Sequence, residues 1–438
     1  MRRAAILLLL LVAMQFVLPL GGWQASASLL TFGFLILAAY TVGEIATAAR
    51  LPKVVGYLLA GVLFGPSALD VVGTTSITEL APVSRLAIAL IAFLAGAELQ
   101  WEEVRSRGVV ILKIMGAELL LSFLAMLATL WLLRGSVPFL AGYGTAHVTA
   151  FAVLFATVAI IHSPAVTMAI LSETGARGTV ARTTLGVVLL ADVAVILLFT
   201  VALAFARATV PAPGGEAVSL GILAWEIGGS VVVGAAIGGA VALYLRFVRG
   251  ELFLCALLVT FLGAEIARLV HVEALLTLLV AGFVSENVGG ERGVALRHAM
   301  ERAAAPVFVV FFALAGASLG ITEVIALWPI VVPIVLARAF GLWAGTAVGA
   351  RWAGVTQGEG RYVWLGLVSQ AGVAIGLATI VAEAYPELGG QLRTLFLAVM
   401  TINQTLGPIL FRQALARSGE LPGSESESED TAPALARG

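Results

Sequence analysis

The sequence predicts an all-α polytopic membrane protein, and three observations predict it. Of the 438 residues, 60% are hydrophobic and only 12% are charged, where a soluble domain carries about 25%. The mean hydropathy is +1.05. The apolar residues fall in runs of about 20, enough to cross a hydrocarbon layer about 30 Å thick, and a chain in lipid must satisfy its own backbone, as helices do. The formal net charge of −1 says nothing about partners, and no nucleic-acid partner is expected. A single cysteine, Cys255, excludes an intrachain disulfide framework or a cysteine-built metal cluster.

The elements follow in order. Arg2 and Arg3 precede an apolar run from Ala4 to Leu20, and Ala25-Ser26-Ala27 follows. A basic stretch, an apolar stretch and a small-x-small site mark residues 1–27 as a cleavable signal peptide. Pro19 and Gly21-Gly22 end the run early, which weighs against the alternative of an extra N-terminal transmembrane helix. Thirteen spans come next, at about 29–48, 53–70, 82–99, 108–133, 147–171, 181–206, 219–247, 251–269, 272–287, 304–320, 324–350, 361–383 and 392–414, with boundaries good to a few residues. They make residues 28–417 one membrane domain. From Ser418 the chain turns polar and acidic, so 418–438 reads as a disordered tail. With the first retained span starting outside, fifteen Lys and Arg residues fall in cytoplasmic loops and four (Arg134, Arg207, Arg268, Arg393) outside. That asymmetry predicts a multi-pass protein of the inner (plasma) membrane with a cytoplasmic C-terminus.

Ionisable residues at the centre of a span are costly and mark function or an internal pair. The chain has three aspartates, and only Asp192 sits inside a span, among Leu190, Ala191, Val193 and Ala194. Burial favours the protonated form of any carboxylic acid and a bound cation favours the ionised form, so such a residue suits a site where a proton and an alkali cation compete. Its structural alternative is a salt bridge or packing hydrogen bond. Arg338 lies mid-span in 324–350; arginine keeps its proton, so it serves either as a fixed countercharge or structurally, in a stabilising ion pair or as a clamp on backbone carbonyls. Glu118 is deep enough to pair across helices. Glu44, Arg85, Glu98 and Glu265 lie nearer helix ends, where snorkelling or loop contacts suffice.

Two spans look broken. His162-Ser163-Pro164 interrupts 147–171, because proline removes a backbone donor. Ser369-Gln370 between Gly366 and Gly372 interrupts 361–383. Irregular backbone survives in a membrane only when buried or lining a cavity. The broken spans are fifth and twelfth, an odd offset that fits an inverted repeat with a binding site at the midplane. Thr157 and Ser163 offer hydroxyl ligands beside Asp192, and His162 either relays protons or satisfies freed backbone groups.

Over about 29–415 the chain resembles the monovalent cation:proton antiporters, in their Kef/Nap-type branch. The resemblance is carried by Leu51-Pro52-Lys53-Val54-Val55-Gly56-Tyr57-Leu58-Leu59-Ala60-Gly61 through Gly65-Pro66, and by Leu86 to Leu99 with its Phe93-Leu94-Ala95-Gly96-Ala97-Glu98-Leu99 ending. It implies thirteen helices in inverted repeats, with the fifth and twelfth crossed and discontinuous. It also implies a core of about 108–206 and 324–414, dimerisation helices at about 29–99 and 251–320, a homodimer, and elevator-like movement. The family's ion-binding aspartate aligns with Asp192 and its basic residue with Arg338. Electrogenic relatives carry an acidic pair where this chain has Ala191-Asp192, so electroneutral exchange of one proton for one Na⁺ or K⁺ is expected.

No cofactor is expected. A channel or uniporter on the same fold and a non-transporting membrane sensor are the rival readings. An enzyme is not expected, since no HExxH motif, serine/lysine pair or paired membrane aspartates appear.

Overall fold

The apolar runs fold as helices, and proline and glycine decide where each one stops. The computed structural model describes residues 27–140, 142–210, 220–247, 252–319, 321–355, 357–370, 377–378, 381 and 385–422. In chain order the helices are α1 (Ala27–Ala48), α2 (Lys53–Phe64), α3 (Thr74–Glu79), α4 (Ala81–Glu98), α5 (Trp101–Leu133), α6 (Thr145–Ala159), α7 (Pro164–Thr174), α8 (Thr179–Thr209), α9 (Leu220–Phe247), α10 (Leu252–Leu269), α11 (Ala274–Gly289), α12 (Glu291–Ala317), α13 (Ile321–Ala353), α14 (Gln357–Gly366) and α15 (Pro386–Arg417). No strand occurs among the described residues. The signal peptide expected at 1–27 lies, but for its last residue, outside them, as does the tail beyond Pro422.

Eight segments among the described residues are long and apolar enough to cross a membrane, nine if the bent α12 is one span. Thirteen were expected, and the differences have local causes. α2 has 12 residues because Gly65 turns extended and Pro66 follows it, so the helix cannot continue to 70. α11 has 16 residues and is likewise short. α12 begins at Glu291, well before the expected 304, and bends by 51° between Arg302 and Ala305. α3 is a short helix that no apolar run announces.

The helices pack in two groups. In one, α13 lies along α5, with α6, α8, α14 and α15 around the pair. Gly341, Gly345 and Gly349 of α13 sit one turn apart, and a Cβ on Gly341 or Gly349 would lie 2.6 Å from Ser122 Cα or 2.5 Å from Ile114 Cα of α5. Small residues at that spacing let two backbones touch, which is how helices associate where lipid removes the hydrophobic drive. In the other group α1 packs on α2, α2 on α12, and α4, α9 and α10 on α11. Gly96 of α4 and Gly282 of α11 each face the other helix's backbone, at Leu279 and Phe93. α7 touches both groups, meeting α8 and α15 on one side and α2, α4 and α12 on the other.

Candidate functional site

Pro164 cannot donate to a helix ladder, so the chain leaves α6 after Ala159 and restarts as α7 with Pro164 in the first turn. Ser163 caps the new helix, its Oγ accepting from Val166 N at 3.3 Å. The second break, residues 367–370 after α14, meets the first one. His162 Nδ1 lies 2.9 Å from Leu367 O. Gln370 Nε2 donates to Ala159 O at 2.7 Å, and Asn403 Nδ2 of α15 donates to Gln370 Oε1 at 2.9 Å.

Arg338 joins the two breaks. It is 1% exposed, and its guanidinium donates to Ala159 O (2.8 Å), Ile161 O (3.1 Å), Val368 O (2.6 Å) and Leu367 O (3.2 Å). Ala159 O and Ile161 O are carbonyls that the break at Pro164 leaves without helix partners. Only a planar fork with donors on several edges reaches all four. The other side of His162 meets an acid: Nε2 is 3.1 Å from Glu118 Oε2, both side chains fully buried, and Ser122 Oγ donates to Glu118 Oε1 at 2.8 Å. The geometry of Arg338 is that of a clamp on backbone carbonyls.

Asp192 lies apart from that network and lines a cavity of about 1040 Å³. Ser163 and Pro164 of the first break and Leu189, Asp192, Val193 and Ile196 of α8 form one wall; α4, α10 and α11 form the other. The Asp192 Oδ1 atom is shielded from solvent and has no hydrogen-bond partner among the described residues. A buried polar atom left unpaired is costly and asks for an explanation, and a bound proton or cation supplies one. Arg268 and Glu265 mark the mouth; they pair at 2.8 Å and stay 70% and 46% exposed.

The structure thus brings Asp192 and Ser163 to one cavity. Thr157 is placed elsewhere: it is buried, and its hydroxyl returns to Val153 O at 2.8 Å. Ser369 Oγ is buried without a partner among the described residues, against Gly407. Of the helix-end charges, Glu44 pairs with Lys53 at 2.7 Å and Glu98 with Arg297 at 3.7 Å, while Arg85 lines the same cavity as Asp192. Two residues escaped sequence reasoning. Glu273 caps α11 through Leu276 N and lines the same cavity as Asp192; it falls at the very start of the expected span 272–287, where a charge draws no notice. Asn403 sits in Thr401-Ile402-Asn403-Gln404-Thr405, a polar patch in the middle of the last span that was the available signal.

Solved structures of the sodium proton antiporter MjNhaP1 from Methanocaldococcus jannaschii share this fold. The structure at pH 8 aligns with a TM-score of 0.66 at 15% identity, covering 90% of this chain and 99% of that one. The electron-microscopy structure aligns with a TM-score of 0.70 at 14% identity, covering 92% and 98%. In sequence, the Na⁺/H⁺ antiporter NhaS5 of Synechocystis is 24% identical over 401 residues, 88% of this chain and 54% of the relative, so the chain spans about half the length of that curated relative. The family described as "Sodium/hydrogen exchanger, transmembrane" matches residues 32–415, and the chain belongs to that family, whose members are transporters.

Proposed function

We propose that the chain exchanges protons for monovalent cations, Na⁺ or K⁺, with Asp192 as the site that both ions occupy in turn. The carrying observation is Asp192 Oδ1, without a hydrogen-bond partner among the described residues and lining a large cavity beside the broken helix. A carboxylate there is neutralised by a proton or by a cation, never by both, and competition for one site couples the two fluxes. Ser163 and the backbone of the break are oxygen ligands of the kind alkali cations take. Arg338 contributes by fixing the crossed breaks that frame the site, and its donors are already taken by carbonyls.

The helix group of α5–α8 and α13–α15 then acts as a moving core and the group of α1–α4 and α10–α12 as the dimerising scaffold. With thirteen spans counted through the short and broken helices, the C-terminus faces the cytoplasm of a cell whose inner membrane the protein crosses. One carboxylate serving one proton or one cation makes the exchange electroneutral. The comparisons support exchange as the activity and NhaS5 and MjNhaP1 carry sodium in their names; the choice between Na⁺ and K⁺ is set by cavity geometry.

Proteoliposomes carrying wild type or Asp192→Asn, with a pH-sensitive dye inside and Li⁺, Na⁺, K⁺ or Rb⁺ added outside, test this. Wild type is expected to give cation-driven proton flux that does not respond to membrane voltage, and Asp192→Asn none. An Asp192→Asn protein that inserts normally and exchanges at the wild-type rate refutes the site.

A further inference from the structure

The exposed pair Arg268 and Glu265, at the end of α10, marks the mouth of the cavity. The cavity touches α7 just at Ser163, Pro164 and Ala165, and α8 only from Leu189 onward. Beyond Ala165, α7 runs away from the cavity for roughly 13 Å at 1.5 Å per residue, and at its far end the two helix groups are tied by polar contacts. Glu173, in the last turn of α7, accepts the backbone N–H of Lys53 on both carboxylate oxygens, each at 3.0 Å. Lys53 is the first residue of α2, so the carboxylate satisfies an orphan donor and faces the positive end of that helix. Arg412 of α15 donates Nη1 to Arg50 O at 2.6 Å. Arg50 adopts φ +62° in the turn between α1 and α2, the left-handed region that non-glycine residues rarely enter. The Lys53 ammonium is engaged elsewhere, with Glu44 of α1 at 2.7 Å.

Both ties therefore join α7 or α15 to the α1–α2 hairpin, and both end on backbone groups. A side chain that caps a helix of its own group stabilises the fold whatever the state of the transporter. A side chain that caps a helix of the opposite group stabilises only arrangements in which the groups meet there. On the exchange reading, on which this step rests, Asp192 reaches the other side of the membrane only when the groups slide, and sliding separates Glu173 from α2.

We infer that Glu173 and Arg412 form a latch that closes the end of the molecule opposite the cavity mouth and holds Asp192 facing that mouth. The latch releases on each cycle. Released, the carboxylate, guanidinium and backbone groups all return to water, so the contacts bias the equilibrium between the two states without blocking it.

Labelling of a cysteine in the cavity reads that equilibrium directly. Val193→Cys in a Cys255→Ser chain supplies the target, and a membrane-impermeant maleimide is applied to sealed vesicles from the mouth side or from the opposite side. In the double variant Glu173→Ala/Arg412→Ala, the ratio of mouth-side to opposite-side labelling is expected to fall about tenfold, a modest share of what charge-assisted hydrogen bonds contribute. Glu44→Gln, whose contact with Lys53 lies inside one group, is expected to leave the ratio unchanged. Should the double variant fail to fold, Glu173→Gln keeps one weaker acceptor and is expected to give an intermediate ratio. An unchanged ratio in the double variant, or in Glu173→Gln where the double variant does not fold, overturns the latch. Proton flux measured on parallel vesicles of the wild-type chain separates the two readings: a shifted ratio with no cation-driven flux in wild type retires exchange and upholds the latch.

Discussion

Replacing Arg338 by methionine separates a clamp from a countercharge. The guanidinium supplies four carbonyls, and they do not all depend on it equally. Ala159 O keeps Gln370 at 2.7 Å and Leu367 O keeps His162 at 2.9 Å. Ile161 O and Val368 O lose donors at 3.1 and 2.6 Å. A buried acceptor stripped of its donor costs about 1–3 kcal/mol, so the pair costs about 2–6 kcal/mol. Part of that returns, because methionine spares the desolvation of a buried cation. The net expectation is a thermal midpoint in detergent several degrees below wild type, followed by loss of the monodisperse gel-filtration peak on a heating series. Arg338→Lys keeps the charge and loses the fork, and is expected to fall between the two. A countercharge to Asp192 predicts something else: a near-normal midpoint with altered competition between protons and cations. Arg338→Met at the wild-type midpoint would refute the clamp.

Two further substitutions test the packing behind the site. Glu118→Ala leaves His162 Nε2 without its buried partner and is expected to destabilise the protein by about 3–5 kcal/mol, with the His162→Ala double variant costing less than the two singles added; additive costs would show the pair uncoupled. Gly345→Val drives a side chain into the α5 backbone at Glu118 and is expected to cost at least about 1–3 kcal/mol, while Gly228→Val, which meets nothing within 4 Å, serves as the neutral comparison in the same heating series.

The sequence was legible where a single residue carries its own physical reason. Pro164, beside the capping Ser163, removes a backbone donor in mid-span, and the break it makes is in place, whereas Pro329, Pro333 and Pro408 are carried inside helices. Asp192 is costly in any apolar span, and it lines the cavity. Arg338 was legible as buried and permanently charged, but its partners were not, since Ala159, Ile161, Leu367 and Val368 take part through carbonyls that every residue owns. Glu118 showed its depth and not its partner, because helix pairing is set by the glycines of α13, a spacing that signals close approach without naming the neighbour. The count of full-length spans was read too generously at α2, where Gly65-Pro66 sits inside the apolar run and ends the helix early. The acidic tail is placed as far as Pro422, with Glu420 accepting from Val180 N at 2.6 Å and Ala181 N at 2.9 Å; the orphan donors that open α8 attract it, and composition alone contains nothing of that.

The arrangement of charge also bears on why exchange would be obligatory. On the proposed reading, Arg338 travels with the core already paired to carbonyls, and Glu273 belongs to the scaffold and stays behind. The variable charge of the moving site is then that of Asp192. With a proton or a monovalent cation bound, the site is neutral; empty, it carries one negative charge. An acidic side chain at the centre of a bilayer costs about 2.5–3.5 kcal/mol on insertion scales, so the empty core crosses roughly a hundredfold less often than the loaded one. A uniporter needs that empty crossing in every cycle, whereas an exchanger never makes it. The same sum makes the cycle electroneutral, since both crossings carry a neutral site. A second acid beside Asp192 on the core would leave one of the loaded forms charged, and Ala191, fully buried, is where this chain keeps that acid out.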